Sequence, residues 1–197
     1  RHRGDADPGA TREVSSRCGS GEQTQRVIWF LCTGNAARSV MGHAAWAQRR
    51  PDVKVGSAGT LAIEWMPMSR RTSAALARHG LSLPGHRSEQ LGPQHVDKAA
   101  LVVAMAAEHV AWVRRELPEL ASRTALLAWL ARSADWSVTD VAEWGLATLA
   151  PDVAPDVIDP AGGERDLYDA VADEVVELTY RIADAAPGEL LAIRAEL

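Results

Sequence analysis

The chain has 197 residues, is 47% hydrophobic and carries a formal net charge of −5. That suits one soluble domain with an extra segment, and it argues against nucleic acid or an anionic membrane surface as a partner. No run of about 18 apolar residues is present to span a bilayer, and two cysteines, Cys18 and Cys32, are too few for a disulfide framework.

In chain order, residues 1–25 come first. They are polar, with four arginines set against four acids, and read as a disordered tail. This stretch has no apolar core of a secretory signal. Residues 27–31 form an unbroken apolar run, as expected of a strand buried on both faces. A helix is predicted over 39–50, with Val40, Met41, Ala44, Ala45 and Ala47 toward a sheet and Pro51 as its stop. A second strand is predicted over 53–57 and a helix over 69–79, closed by Gly80. Residues 99–105 are wholly apolar and read as a third buried strand, followed by a helix over 107–117 and a short fourth strand over 124–127. Residues 165–185 form a long amphipathic helix, with Leu167, Val171, Val175, Leu178 and Ile182 at helical spacing.

Strands alternating with helices mean an α/β fold: a parallel sheet covered on both faces, with its ligand off the carboxyl ends of the strands. Residues 128–155 break the alternation. They hold Trp129, Trp136 and Trp144 and read as a helical cap, with a lid or docking element as the alternative.

The first strand runs directly into Cys32-Thr33-Gly34-Asn35-Ala36-Ala37-Arg38-Ser39. A thiol opens this loop, a guanidinium closes it, and a helix follows. Loop amides and a helix N-terminus suit a phosphate-like dianion, which Arg38 can grip through its planar fork. The same positive surroundings favour a thiolate at Cys32. Gly34 and Asn35 both tolerate the positive φ that a coiled anion-binding loop needs. Ser39 can donate its hydroxyl to the sulfur. Sulfur attack on phosphorus calls for an acid to protonate the leaving group, then a base to activate water. Asp159, in Asp159-Pro160-Ala161-Gly162-Gly163, is the candidate, with Asp152 and Asp156 as nearby rivals. The six histidines show no metal-ligand spacing, so no metal is expected.

These residues resemble the low-molecular-weight protein tyrosine phosphatases, a family related to arsenate reductases. Residues 27–41 look like its phosphate loop, Ser57-Ala58-Gly59-Thr60 like its second-strand exit, and Gly85-His86-Arg87-Ser88 like its histidine segment. Asp159-Pro160-x-Gly-Gly, followed by Tyr168, looks like its acid loop and last helix. The resemblance implies a flavodoxin-like α/β fold with a four-stranded parallel sheet, helices on both faces and a short helical insertion before the acid loop. It implies Cys32 as nucleophile, Arg38 as clamp and Asp159 as general acid and then base. Thr33, Gly34, Asn35, Ala36, Ala37 and Ser39 would line the phosphate, with His86 supporting the loop and Trp65 walling the substrate. The expected substrate is a phosphorylated protein, phosphotyrosine by default, or a small phosphate ester. No cofactor is expected, and the protein would be a cytoplasmic monomer or weak dimer.

Three features depart from the family pattern. Ala37 replaces a second cysteine, Ala161 replaces an aromatic after the Asp-Pro, and 31 residues separate Leu127 from Asp159. Two rival functions are a single-cysteine arsenate reductase using a small-molecule thiol and a non-catalytic phosphate- or phosphoprotein-binding module. The presence of Asp159 argues against both.

Overall fold

Strand β1 (Val27–Cys32) lies at the centre of the fold because its side chains are apolar on both faces. Ile28, Phe30 and Cys32 enter one core, while Leu31 enters the other and Trp29 packs against its edge. The computed structural model describes residues 26–138 and 140–187. The expected tail, residues 1–25, lies outside the described residues.

The other strands are β2 (Val55–Gly59), β3 (Ala99–Ala104) and β4 (Thr124–Leu126). All pairings are parallel, in the order β2-β1-β3-β4. Parallel strands require crossovers, here made by α1 (Arg38–Arg49), α2 (Arg70–Arg78) and α3 (Ala107–Glu116). α4 (Leu127–Arg132) follows β4 directly, and α5 (Arg165–Ala185) closes the chain. Each predicted element is present, with ends moved by up to two residues. Ser69 fixes the start of α2 by accepting the Thr72 amide at 3.0 Å. At its other end Gly80 turns the chain with φ 67°.

The larger core joins one sheet face to α1, α2, α4 and α5. The smaller packs α3 and the 3-10 turn Pro118–Arg123 on the opposite face. The fold is thus the expected α/β layer arrangement with helices on both sides. After β1 the chain crosses to β2 on one side, while β3 adds on the other. The carboxyl ends of β1 and β3 therefore flank a topological switch point, where ligands of such sheets bind.

The stretch expected as a cap from residue 128 divides in two. Ala128 and Leu130 of α4 are buried in the main core. The irregular part begins after Arg132 and contains the 3-10 turn Val141–Trp144. Trp129, Trp136 and Trp144 pack edge to face on one another and against the core, with ring centroids 5.1 and 6.1 Å apart. Arg114 binds the segment to α3 by donating to the Leu146 and Leu149 carbonyls at 2.6 and 2.5 Å.

Candidate active site

The loop between β1 and α1 opens at the switch point. Cys32, the last residue of β1, is buried, and its sulfur lies 3.0 Å from the Ser39 hydroxyl. Asn35 then reverses the chain in the left-handed region at φ 50°. An Asn tolerates this better than most residues. Its side chain also rewards the conformation: Nδ2 donates to Ser39 Oγ at 2.9 Å, and Oδ1 accepts the Glu89 amide at 2.9 Å. The His86 Nε2–H donates to the Asn35 carbonyl at 3.0 Å. Gly34 does not take a positive φ; a Cβ there would meet no atom within 4 Å, so the loop is open on that side. Gly59, by contrast, is required by close approach, because a Cβ would lie 2.5 Å from the Thr33 carbonyl.

α1 starts without a capping side chain and without an acid in its first turn. Among the described residues, the amides of residues 34–37 make no backbone hydrogen bond to the protein. Donors left open at a helix N-terminus suit an anionic ligand.

Arg38 is buried, yet its guanidinium is held by three acceptors. Nη1 donates to the Val157 carbonyl at 3.2 Å. Nη2 donates to Thr33 Oγ1 at 3.3 Å and to Asp159 Oδ2 at 2.7 Å. The Arg38 side chain is 4% exposed and that of Asp159 48%, so the pair spans the boundary between interior and solvent. The other Asp159 oxygen accepts the Ala161 amide at 3.0 Å, which fixes the turn that Pro160 begins. Of the two rival acids, Asp156 accepts the Ala107 amide at 2.7 Å, and Asp152 is exposed on the insertion.

The first turn of α3 reaches the same place from β3. His109 Nε2 lies 3.0 Å from Thr33 Oγ1, which in turn donates to Glu108 Oε1 at 3.3 Å. Burial lowers the His109 pKa to about 4, with the Arg38 cation adding to the effect and Asp159 opposing it. His109 is therefore neutral at physiological pH. His43, 3.3 Å from Ser57 Oγ, is pushed to about 4 by burial and by His86. His86 is itself lowered, chiefly by burial.

The profile described as low molecular weight phosphotyrosine protein phosphatase matches residues 27–150. The chain belongs to this phosphatase family. A protein-arginine-phosphatase of Geobacillus stearothermophilus is 32% identical over 158 residues, covering 80% of this chain and 93% of that protein. A low molecular weight protein-tyrosine-phosphatase of Streptomyces coelicolor is 33% identical over 177 residues, covering 86% and 94%. Among solved structures, the YwlE arginine phosphatase from Geobacillus stearothermophilus superposes with a TM-score of 0.67 at 31% identity, covering 81% of this chain and 91% of that one.

In this family member the loop carries two hydrogen-bonded networks, Cys32, Ser39, Asn35 and His86 in one and Thr33, Arg38 and Asp159 in the other. Ala36 links the loop to α2, its carbonyl accepting the Thr72 hydroxyl at 2.9 Å; Ala37 is the N-cap of α1. Trp65 is 76% exposed at φ 66°, its amide bonded to the Ser88 carbonyl. Sequence reasoning missed Glu108, His109 and the tether at Asp156. The available signal was position: Glu108 and His109 follow β3 within five residues, at a strand end where ligands gather. Among the described residues no three His, Cys, Asp or Glu side chains converge as metal ligands.

Proposed function

We propose that this chain hydrolyses phosphorylated protein side chains through a phosphocysteine intermediate, with phosphotyrosine as the primary substrate. The observation that carries the reading is the 2.7 Å bond between Arg38 and Asp159, 121 positions apart. It sets a carboxyl group beside the guanidinium of the loop that holds the sulfur.

In the first step the Cys32 thiolate attacks phosphorus, an S–P bond forms and the ester P–O bond breaks. Asp159 gives its proton to the departing oxygen. In the second step the same carboxylate takes a proton from water, which attacks the phosphocysteine and releases inorganic phosphate and the thiolate. Ser39 steadies the sulfur anion by its hydroxyl. Arg38 holds two phosphate oxygens through Nε–H and the Nη2–H that Asp159 gives up as it moves to the leaving group. The amides of residues 34–37 complete the cradle, and His86 and Asn35 keep it coiled.

A second reading, phosphoarginine, is favoured by Glu108. This carboxylate is exposed at the rim of the loop, 3.3 Å from Thr33 Oγ1. It would repel a phosphate but attract a guanidinium joined to one. Ala161 at the acid loop adds no ring for a tyrosine to stack on.

The test is one panel: an aryl phosphate, phosphotyrosine peptides, phosphoarginine peptides, and arsenate with added thiol, each against wild type and Cys32→Ser. Phosphate release that Cys32→Ser abolishes supports the reading, and the relative kcat/KM ranks the two substrates. Arsenate turnover without phosphate release would replace it with the reductase. Phosphate binding without any turnover would replace it with the binding module.

A further inference from the structure

We propose that His109 is a positioning residue for the phosphate clamp: it fixes the Thr33 hydroxyl, and Thr33 fixes the Arg38 guanidinium. The proposal rests on the reading of Arg38 as the clamp.

The first support is that His109 is poorly explained as core filling. It is 1% exposed, and its Nδ1 has no hydrogen-bond partner among the described residues. A leucine or phenylalanine would fill the site without burying an unpaired polar atom. Among the described residues, the one polar contact that the imidazole keeps within the body is to Thr33, the residue after Cys32. Its other neighbour is Glu108 at the surface, 3.3 Å from the same nitrogen.

The second support is a count of hydrogen bonds at Thr33 Oγ1. A hydroxyl has one proton to give and two lone pairs to offer. Its proton goes to Glu108 Oε1 at 3.3 Å. One lone pair accepts Arg38 Nη2–H at 3.3 Å. The other faces His109 Nε2 at 3.0 Å. The set closes only if Nε2 carries the imidazole proton. That tautomer leaves Nδ1 as an unpaired acceptor, the milder of the two ways to leave one nitrogen alone. His109 thereby stops the hydroxyl from rotating and keeps a lone pair on the clamp.

The consequence appears when a dianion binds. Asp159 must release Nη2 for phosphate to take its place. Among the described residues, the guanidinium is then held only by the Val157 carbonyl and Thr33. Without His109 the hydroxyl is held, besides the fork itself, only by its 3.3 Å bond to the exposed Glu108 carboxylate among the described residues, and its lone pair is no longer pinned on the fork at the moment of use.

The experiment compares His109→Phe, His109→Gln, Thr33→Val and the double variant His109→Phe/Thr33→Val. The readouts are the inhibition constant for inorganic phosphate, kcat and KM for an aryl phosphate, and the melting temperature. A lost hydrogen bond of ordinary strength predicts about fivefold weaker phosphate inhibition in His109→Phe. Thr33→Val should match it, and the double variant should be no worse than the weaker single, because both act through one hydroxyl. His109→Gln, whose amide reaches the position of Nε2, should restore inhibition to within about twofold. Additive losses in the double variant, or a lowered melting temperature with unchanged phosphate inhibition, would overturn the proposal. If His109→Phe does not fold, Thr33→Ser against Thr33→Val decides it in the His109→Gln background: equal phosphate inhibition in the two refutes the relay. Failure of the clamp reading looks different, since Arg38→Lys would then bind phosphate as well as wild type.

Discussion

Replacing Asp159 by Asn should slow turnover and tighten phosphate binding at once. The carboxylate sits 2.7 Å from Arg38 Nη2, where a bound phosphate oxygen would compete for the same N–H. A charge-assisted bond to a buried guanidinium contributes about 1.5–3 kcal/mol, and an exposed ion pair about 0.2–1 kcal/mol. With one partner buried and the other half exposed, roughly 1 kcal/mol separates the occupied from the free clamp. An Asn oxygen still accepts from Arg38, but it carries no charge to defend the site against a dianion. About 1 kcal/mol corresponds to roughly fivefold in a binding constant. Calorimetric titration with inorganic phosphate should therefore give a dissociation constant about three- to fivefold lower in Asp159→Asn. Loss of the acid should lower kcat for poor leaving groups by about 10²–10⁴-fold. Phosphate binding that weakens, or does not change, would show that Asp159 does not compete for the clamp, and the proposed movement from guanidinium to leaving group would have no basis.

Asn35→Ala should lower the melting temperature and kcat/KM together, because φ 50° costs a non-glycine residue about 1–2 kcal/mol and the bonds to Ser39 and the Glu89 amide are lost; Asn35→Gly, free of the backbone penalty, should recover part of the melting temperature but not the activity. Thermal melts across pH should show stability present above pH 6.5 and lost as pH falls toward 4. His109 and His43 are held neutral when folded but take up protons at about 6.5 when unfolded. Their depressed values make each a drain on stability in that window, on the order of 3 kcal/mol for fully buried His109, and His109→Gln should flatten the melt profile. Asp156→Ala should remove the acceptor of the Ala107 amide at 2.7 Å and loosen the acid loop, lowering kcat while phosphate inhibition is retained; steady-state kinetics with phosphate as inhibitor separate the two.

The layers of the fold were readable because each strand is an uninterrupted apolar run and each helix carries its own punctuation. Ser69 and Gly80 bound α2, and Pro51 follows α1. The 32–39 loop was readable for the same local reason, since thiol, turn residues and guanidinium are contiguous. The two turn residues were not distinguishable, however. Gly34 and Asn35 both permit positive φ, and only Asn35 uses it, because its side chain alone can bond Ser39 and the Glu89 amide once the loop is packed. The partition of 128–155 was hidden as well. Ala128 and Leu130 are placed in the core by contact with α5, which lies far along the chain. Periodicity over six residues is too short to reveal that. His109 was invisible for a different reason: an isolated histidine on a helix has no pattern, and its meaning depends on Thr33, 76 positions away.

One local element connects these long-range contacts. The first turn of α3 presents the Ala107 amide to Asp156, and Glu108 and His109 to Thr33. The Val157 amide also donates to the Met105 carbonyl at 2.8 Å, just before that turn. The loop that carries Asp159 is thus tethered at residues 156 and 157, while among the described residues Asp159 beyond them is held only by Arg38 and the Ala161 amide. Two fixed points followed two residues later by a half-exposed carboxylate give a short arm that can swing without unseating its base. The same turn steadies the clamp that the arm must leave. On the proposed reading, an anion arriving at Arg38 is expected to displace a side chain rather than a loop. On the same reading, reorganisation is confined to Asp159, while the sulfur, the guanidinium and the cradle are expected to keep their positions.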